Sequence, residues 1–239
     1  LLLVDMEGYP PQRRPGLIIF DCDGVLVDSE PLAMRVLLEG IAVRGVAIDE
    51  ALAYERLLGR NLASVIETLK SEFGVALEAD ALDAMRLRLY ALFRAELQAI
   101  SGIAEAIEAI ALPVCVASSS QMERIRLSLE VTGLAPVFGE RIFSASMVAN
   151  GKPAPDLFLL AASRMHVAPE RCIVVEDSPA GVEAGHRAGM RVFAFTGASH
   201  AQGSAHRDRL AALAPEAIFD DMAQLPALVA AAGAKAGEQ

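Results

Sequence analysis

Leu17-Ile18-Ile19-Phe20-Asp21-Cys22-Asp23-Gly24-Val25-Leu26-Val27-Asp28-Ser29-Glu30 is the stretch from which the fold is read. Four apolar residues without a polar break predict a strand buried on both faces, as in a parallel sheet. Two carboxylates, Asp21 and Asp23, follow at its C-terminal end, where open α/β sheets place their ligands. Gly24 permits a tight reversal, Asp28 and Ser29 are turn or N-cap types, and the pattern turns helical at Pro31. Two acids this close repel unless a charge offsets them, and a hard divalent cation such as Mg²⁺ is the common offset. Aspartate is also a turn former, so the same pair has a second reading as solvated loop acids. Taken alone, the stretch leaves both readings open.

The rest of the chain narrows the choice. Its 239 residues, 54% apolar, suit one large or two modest domains with a sizeable core. No apolar run approaches a membrane span, so a soluble, cytoplasmic protein without a membrane partner is expected. Lys and Arg total 21 against 31 Asp and Glu; the net charge of −10 disfavours nucleic acid and demands that any phosphate site be locally positive. Cys22, Cys115 and Cys172 lie in or beside apolar runs without CxxC spacing, which fits small buried hydrophobes in a reducing compartment. A thiol phosphatase needs Arg six positions after its Cys, and Gln121 stands there after Cys115. The chain begins at Leu1, so its natural start is expected to lie beyond it.

Residues 1–15, with Tyr9-Pro10-Pro11, are expected to form an irregular arm, and 16–30 with 98–232 an α/β core. Between them, 31–97 places Leu32, Val36 and Leu37, then Leu62, Val65, Ile66 and Leu69, then Leu82, Met85, Leu89, Leu92 and Phe93 at helical spacing. Four or so helices are predicted, broken near Gly45, Gly59 and Gly74, inserted as a cap over the first strand end. In the core, strands are expected at 114–117, 142–145, 172–175, 192–195 and 217–219, alternating with helices over 103–110, 122–131, 155–165 and 179–188. That alternation predicts a doubly wound parallel sheet. A last helix follows Pro226, with 233–239 as a frayed tail.

Chemistry gathers at the predicted strand ends. Ser118, Ser119 and Ser120 open a helix whose first turn offers backbone N–H donors to an anion, although Ser118 also reads as a plain N-cap. Lys152 sits in Asn150-Gly151-Lys152-Pro153-Ala154-Pro155, a cation on a loop stiffened by two prolines. A Walker-type phosphate loop is not supported, because Ser146 stands where its first Gly belongs. The strand at 172–175 runs into Glu176-Asp177-Ser178-Pro179, again acids before a helix N-terminus. Parallel neighbours bring Asp21, Asp23, Ser118, Lys152, Glu176 and Asp177 to one sheet edge, and this convergence favours a metal-binding catalytic site over scattered surface acids. The histidines His166, His186, His200 and His206 receive no role.

These residues carry a resemblance to the haloacid dehalogenase superfamily, over about Leu17 to Phe195. Asp21-Cys22-Asp23-Gly24-Val25 resembles its first motif, Ser118 its second, Lys152 in Gly151-Lys152-Pro153 its third, and Glu176-Asp177 its fourth. The helical stretch resembles the family's cap, and the chain is similar to the β-phosphoglucomutase and sugar-phosphatase branch, 6-phosphogluconate phosphatases included.

The resemblance implies Asp21 as nucleophile through an aspartyl-phosphate, and Asp23 as the acid that protonates the leaving group and then the base that activates water. It implies Mg²⁺ held by the Asp21 carboxylate, the Asp23 main-chain carbonyl and Asp177, with Glu176 acting through water, and phosphoryl oxygens held by Ser118, the Ser119 N–H and Lys152. The second acid, Asp23, argues for phosphoryl transfer rather than dehalogenation. The mutase branch keeps a hinge His where this chain has Ala33 and a cap Arg where it has Leu62, which favours hydrolysis; Arg60 reads either as a substitute contact to the distal part of a substrate or as a solvated residue at a helix start. The expected function is Mg²⁺-dependent hydrolysis of a small phosphorylated sugar or sugar acid, with a monomer as the expected state. A phosphosugar mutase and a non-catalytic phospho-acceptor on the same sheet are the alternatives.

Overall fold

The structure, a computed structural model, describes residues 14–57, 62–201 and 204–235. Six strands form one all-parallel sheet: β1 (Leu17–Phe20), β2 (Val114–Ser118), β3 (Ile142–Ser144), β4 (Cys172–Glu176), β5 (Arg191–Phe195) and β6 (Ala217–Phe219). Their spatial order is β3-β2-β1-β4-β5-β6. The chain therefore winds outward from β1 to β3, then returns to the other side of β1 for β4, making a switch point beside β1. At such a point the loops leave in opposite directions and open a crevice at the carboxyl ends of the strands.

The register follows from burial. Every residue of β1 is fully buried. Ile18 and Phe20 face one apolar cluster while Leu17 and Ile19 face another, so the unbroken apolar run reflects burial on both faces. Helices α5 (Ile103–Ala109), α6 (Met122–Val131), the short α7 (Ala135–Phe138) and α11 (Leu225–Lys235) contribute to the first cluster, and α8 (Asp156–Arg164), α9 (Pro179–Arg187) and α10 (Ser204–Ala211) to the second. The result is a three-layer α/β/α sandwich of the expected doubly wound class.

Between β1 and β2 the chain forms α1 (Glu30–Ala42), α2 (Glu50–Leu57), α3 (Leu62–Phe73) and α4 (Ala79–Glu96). Met34, Ile41, Ala53, Leu57, Val65 and Leu69 make a separate apolar cluster there, while Tyr90 and Phe93 at the far end of α4 join the core above the sheet. The two crossings into and out of this stretch lie side by side, with Asp28 N donating to Gln98 O at 3.0 Å and Ile100 N to Leu26 O at 2.9 Å. Gly45 and Gly74 break the helices at positive φ, whereas the expected break at Gly59 lies outside the described residues.

Some boundaries differ from the sequence reading. The β3 strand stops at Ser144 rather than Ala145, because the Ser144 hydroxyl accepts from Ser146 N and starts a 3-10 turn. The short α7 was not expected, and α11 continues to Lys235. Most of the expected N-terminal arm lies outside the described residues. Among the described residues no helix is long and apolar enough to cross a membrane.

Candidate active site

Four strand ends meet at the switch point. Asp21 follows β1 directly, its N–H donating to Val175 O of β4 at 3.0 Å, so the backbone is still held in the sheet where the side chain leaves it. Gly24 then turns at φ 79°, and a Cβ on it would fall 1.9 Å from Asp177 Oδ2. The turn and the close approach both require glycine. At the end of β4 the Glu176 side chain folds back on its own loop: Oε2 accepts from the N–H groups of Asp177 and Ser178, both at 3.0 Å, and from Ser178 Oγ at 2.9 Å. Ser178 in turn caps α9 by accepting from Gly181 N at 3.1 Å. A Cβ on Gly181 would meet the Glu176 carboxylate at 1.9 Å, so glycine there lets α9 sit against it.

Lys152 closes the site. Its side chain is 4% exposed, and Nζ donates to Asp21 Oδ1 and Glu176 Oε1, both at 2.6 Å, and to the Ala117 carbonyl at 2.9 Å. Burial pulls the ammonium toward losing its proton, but Asp21 and Glu176 outweigh that and raise its pKa. Asp21 moves the other way from a normal carboxylate: burial raises its pKa well above the usual value, Lys152 opposes, and Glu176, Asp177 and Asp23 add to the rise.

Candidate ligand oxygens of Asp21, Glu176 and Asp177, all buried, lie within 4.8 Å of one another. This donor set is all oxygen and carries more negative charge than one ammonium offsets, so its chemistry fits a hard divalent cation such as Mg²⁺. Glu176 has both oxygens engaged by protein donors, which suits it to act through water. The Asp23 side chain stands apart from this cluster, which leaves its main-chain carbonyl as the group that the resemblance assigns.

Asp23 is held by three partners: Ser29 Oγ donates to Oδ1 at 2.5 Å, Ser120 Oγ to Oδ2 at 2.6 Å and Arg124 Nη2 to Oδ1 at 2.7 Å. Burial alone would raise its pKa, but Arg124 and the two hydroxyls outweigh burial and lower it. Arg124, in the first turn of α6, also lies over the Phe93 ring of α4 at 5.3 Å, so it joins the sheet unit to the helical stretch. Ser118 is buried and its Oγ accepts from Ser120 N at 3.1 Å; the N-cap position of α6 falls to Gln121, so the N-cap alternative for Ser118 does not hold. Ser119 is exposed beside it, and Arg60 lies outside the described residues.

Ser29, Ser120, Arg124, Glu30 and His200 were missed as site residues. Glu30 starts α1 with burial raising its pKa, aided by the charge of Asp23. His200 Nε2 lies 3.0 Å from Asp177 Oδ2 with its side chain 3% exposed. Applying the strand-end rule to β5, which neighbours β4, would have pointed to the segment that carries His200.

A sequence profile described as haloacid dehalogenase-like hydrolase matches residues 15–189. The chain is 34% identical over 218 residues to a 6-phosphogluconate phosphatase of Escherichia coli, covering 90% of this chain and 95% of that protein. It is 34% identical over 183 residues to hexitol phosphatase A of the same organism, covering 74% and 81%. A HAD family hydrolase from Deinococcus radiodurans, solved with bound phosphate and sodium, superposes with a TM-score of 0.76 at 33% identity, covering 93% of this chain and 97% of that one.

Proposed function

Because the chain belongs to the haloacid dehalogenase-like hydrolases and is a phosphatase of phosphorylated metabolites, we propose that it hydrolyses the monoester of a small sugar, polyol or sugar acid through an aspartyl-phosphate on Asp21, with Mg²⁺. The observation that carries the reading is Lys152 buried against Asp21 and Glu176 beside Asp177. A fixed cation there offsets the carboxylates, which is what allows a protein of net charge −10 to admit an anion.

In this reading an Asp21 oxygen attacks phosphorus while the ester P–O bond breaks, and Asp23 gives its proton to the departing alkoxide. Water then attacks the phosphorus of the aspartyl-phosphate, Asp23 takes a proton from it, and Asp21 leaves as a carboxylate with inorganic phosphate as the product. Asp23 has to arrive protonated at the first step, so release from Arg124 is part of the cycle. Ser118 Oγ, the Ser119 N–H and the Lys152 ammonium hold the phosphoryl oxygens as charge spreads onto them. Mg²⁺ would be held by Asp21, Asp177 and the Asp23 carbonyl, with Glu176 through water, and it supplies neutralisation between carboxylate and phosphate.

Residues 31–97 serve as a cap over this edge, and Arg124, which touches both Asp23 and Phe93, lies where cap and core meet. The two curated relatives, one named for a sugar acid phosphate and one for hexitols, support the substrate class. The test is phosphate release from a panel of phosphorylated sugars, polyols, sugar acids and nucleotides, with Mg²⁺ and with chelator. Mg²⁺-dependent release from a member of the first three groups is expected, and no release from any panel member refutes the reading.

A further inference from the structure

Asp177 is gripped from two directions by one segment. The chain leaving β5 makes a 3-10 turn, Ser199–Ala201, and then α10, and it brings two histidines to the same aspartate. His200 Nε2 lies 3.0 Å from Asp177 Oδ2, and His206 Nε2 lies 2.8 Å from the Asp177 main-chain oxygen. Both oxygens only accept, so in each ring Nε2 is the donor. The second ring is itself oriented, since Arg209 Nη2 donates to His206 Nδ1 at 3.3 Å. The two rings pack edge to face with centroids 5.8 Å apart. His200 Cε1 also lies 2.9 Å from where a Cβ on Gly24 would stand, so the turn after β1 and the two histidines enclose Asp177 together.

This arrangement has a division of labour. A carboxylate has two oxygens, and among the described residues the histidine contact falls on Oδ2 only, leaving Oδ1 of Asp177 without a protein donor. A carboxylate with one oxygen held by a protein donor is fixed in rotation and offers the other in a set direction, which is how partners of a ligand raise metal affinity. Ser199 Oγ donates to Asp28 Oδ1 at 2.8 Å, which ties the same segment to the crossing into the helical stretch.

We propose that His200 and His206 are positioning residues for Asp177, His200 fixing its side chain and His206 its main chain, so that the segment after β5 sets the affinity of the site for a divalent cation. The proposal rests on the reading of Asp177 as a metal ligand. Its test is Mn²⁺ binding measured directly by electron paramagnetic resonance on wild type, Asp177→Asn, His200→Met, His200→Gln and His206→Met, with the unfolding midpoint of each. Wild type is expected to bind Mn²⁺ and Asp177→Asn to lose it. Both Met variants should bind about ten- to a hundredfold more weakly, and His200→Gln, which keeps an N–H at similar reach, should recover most of the loss. Met variants that bind as wild type does while Asp177→Asn fails overturn the positioning role alone, as does a Gln variant as weak as Met. Wild type without Mn²⁺ binding, or Asp177→Asn that binds normally, brings down the ligand reading and this proposal with it. Should His200→Met not fold, His200→Gln against His200→Asn decides, because the shorter amide does not reach Asp177; equal affinity then overturns the role.

Discussion

Replacing Lys152 with Met keeps the length of the side chain and removes its charge, which leaves Asp21 and Glu176 buried without the donor that each has at 2.6 Å. Removing one partner of a buried, hydrogen-bonded ion pair costs about 3–5 kcal/mol, because the remaining charges lose their compensation. For a domain of this size that corresponds to a fall in Tm of roughly 6–20 °C. The deficit should widen as pH rises. Asp21 has its folded pKa raised above the ordinary value of 3.8, so the stability linked to its protonated form is full below that value and is lost as pH climbs through the folded pKa. Loss of the ammonium raises that pKa further. A divalent cation should stabilise the variant over its own metal-free form by about 2.7 kcal/mol at a hundredfold excess over its Kd. The assay is thermal unfolding of wild type and Lys152→Met in chelator and in excess Mg²⁺, at mildly acidic and mildly alkaline pH. A variant melting within about 2 °C of wild type in chelator, a shift worth no more than about 1 kcal/mol, refutes the reasoning.

Asp21→Asn should still fold and show no turnover in a phosphate-release assay. Asp23→Asn should slow substrates with poor leaving groups far more than aryl phosphates, which need no proton on departure; equal losses on both count against the acid role. Arg124→Met should destabilise the protein at neutral pH by more than it does below about pH 4. Asp23 has a lowered folded pKa, so the stability that Arg124 gives it is present above the ordinary carboxylate value and fades as pH falls through the folded one, a difference read from urea midpoints at the two pH values. Gly24→Ala should lose both turnover and Mn²⁺ binding, because its Cβ would land 1.9 Å from Asp177 Oδ2 on a backbone at φ 79°.

The sheet was legible because strands buried on both faces must be unbroken apolar runs, and here a chemistry-bearing group follows each of the first four, directly or, for β3, after a short loop. Leu17–Phe20 and Cys172–Val175 announced themselves that way, and the acids behind them inherited a position from the parallel topology. Arg124 was not legible, since three residues into a helix it reads as an ordinary first-turn side chain, and its bond to Asp23 spans 101 residues of sequence. His206 reaches Asp177 across 29 residues and sits on a helix with no apolar stripe to fix its orientation. Ser29 looked like an N-cap and occupies that position, yet it donates its hydroxyl to Asp23 instead of capping α1. In each case local spacing gave the element, and a contact outside that element gave the side chain its role.

The most direct test is covalent. Asp23→Asn incubated with an aryl phosphate and quenched during turnover should yield a peptide containing Asp21 that carries one phosphoryl group, seen by mass spectrometry, removed by hydroxylamine and absent when Asp21 is also replaced by Asn. Continued release of phosphate by Asp23→Asn with no phosphoryl group on Asp21 at any quench time, or with the group on another residue, would contradict the account.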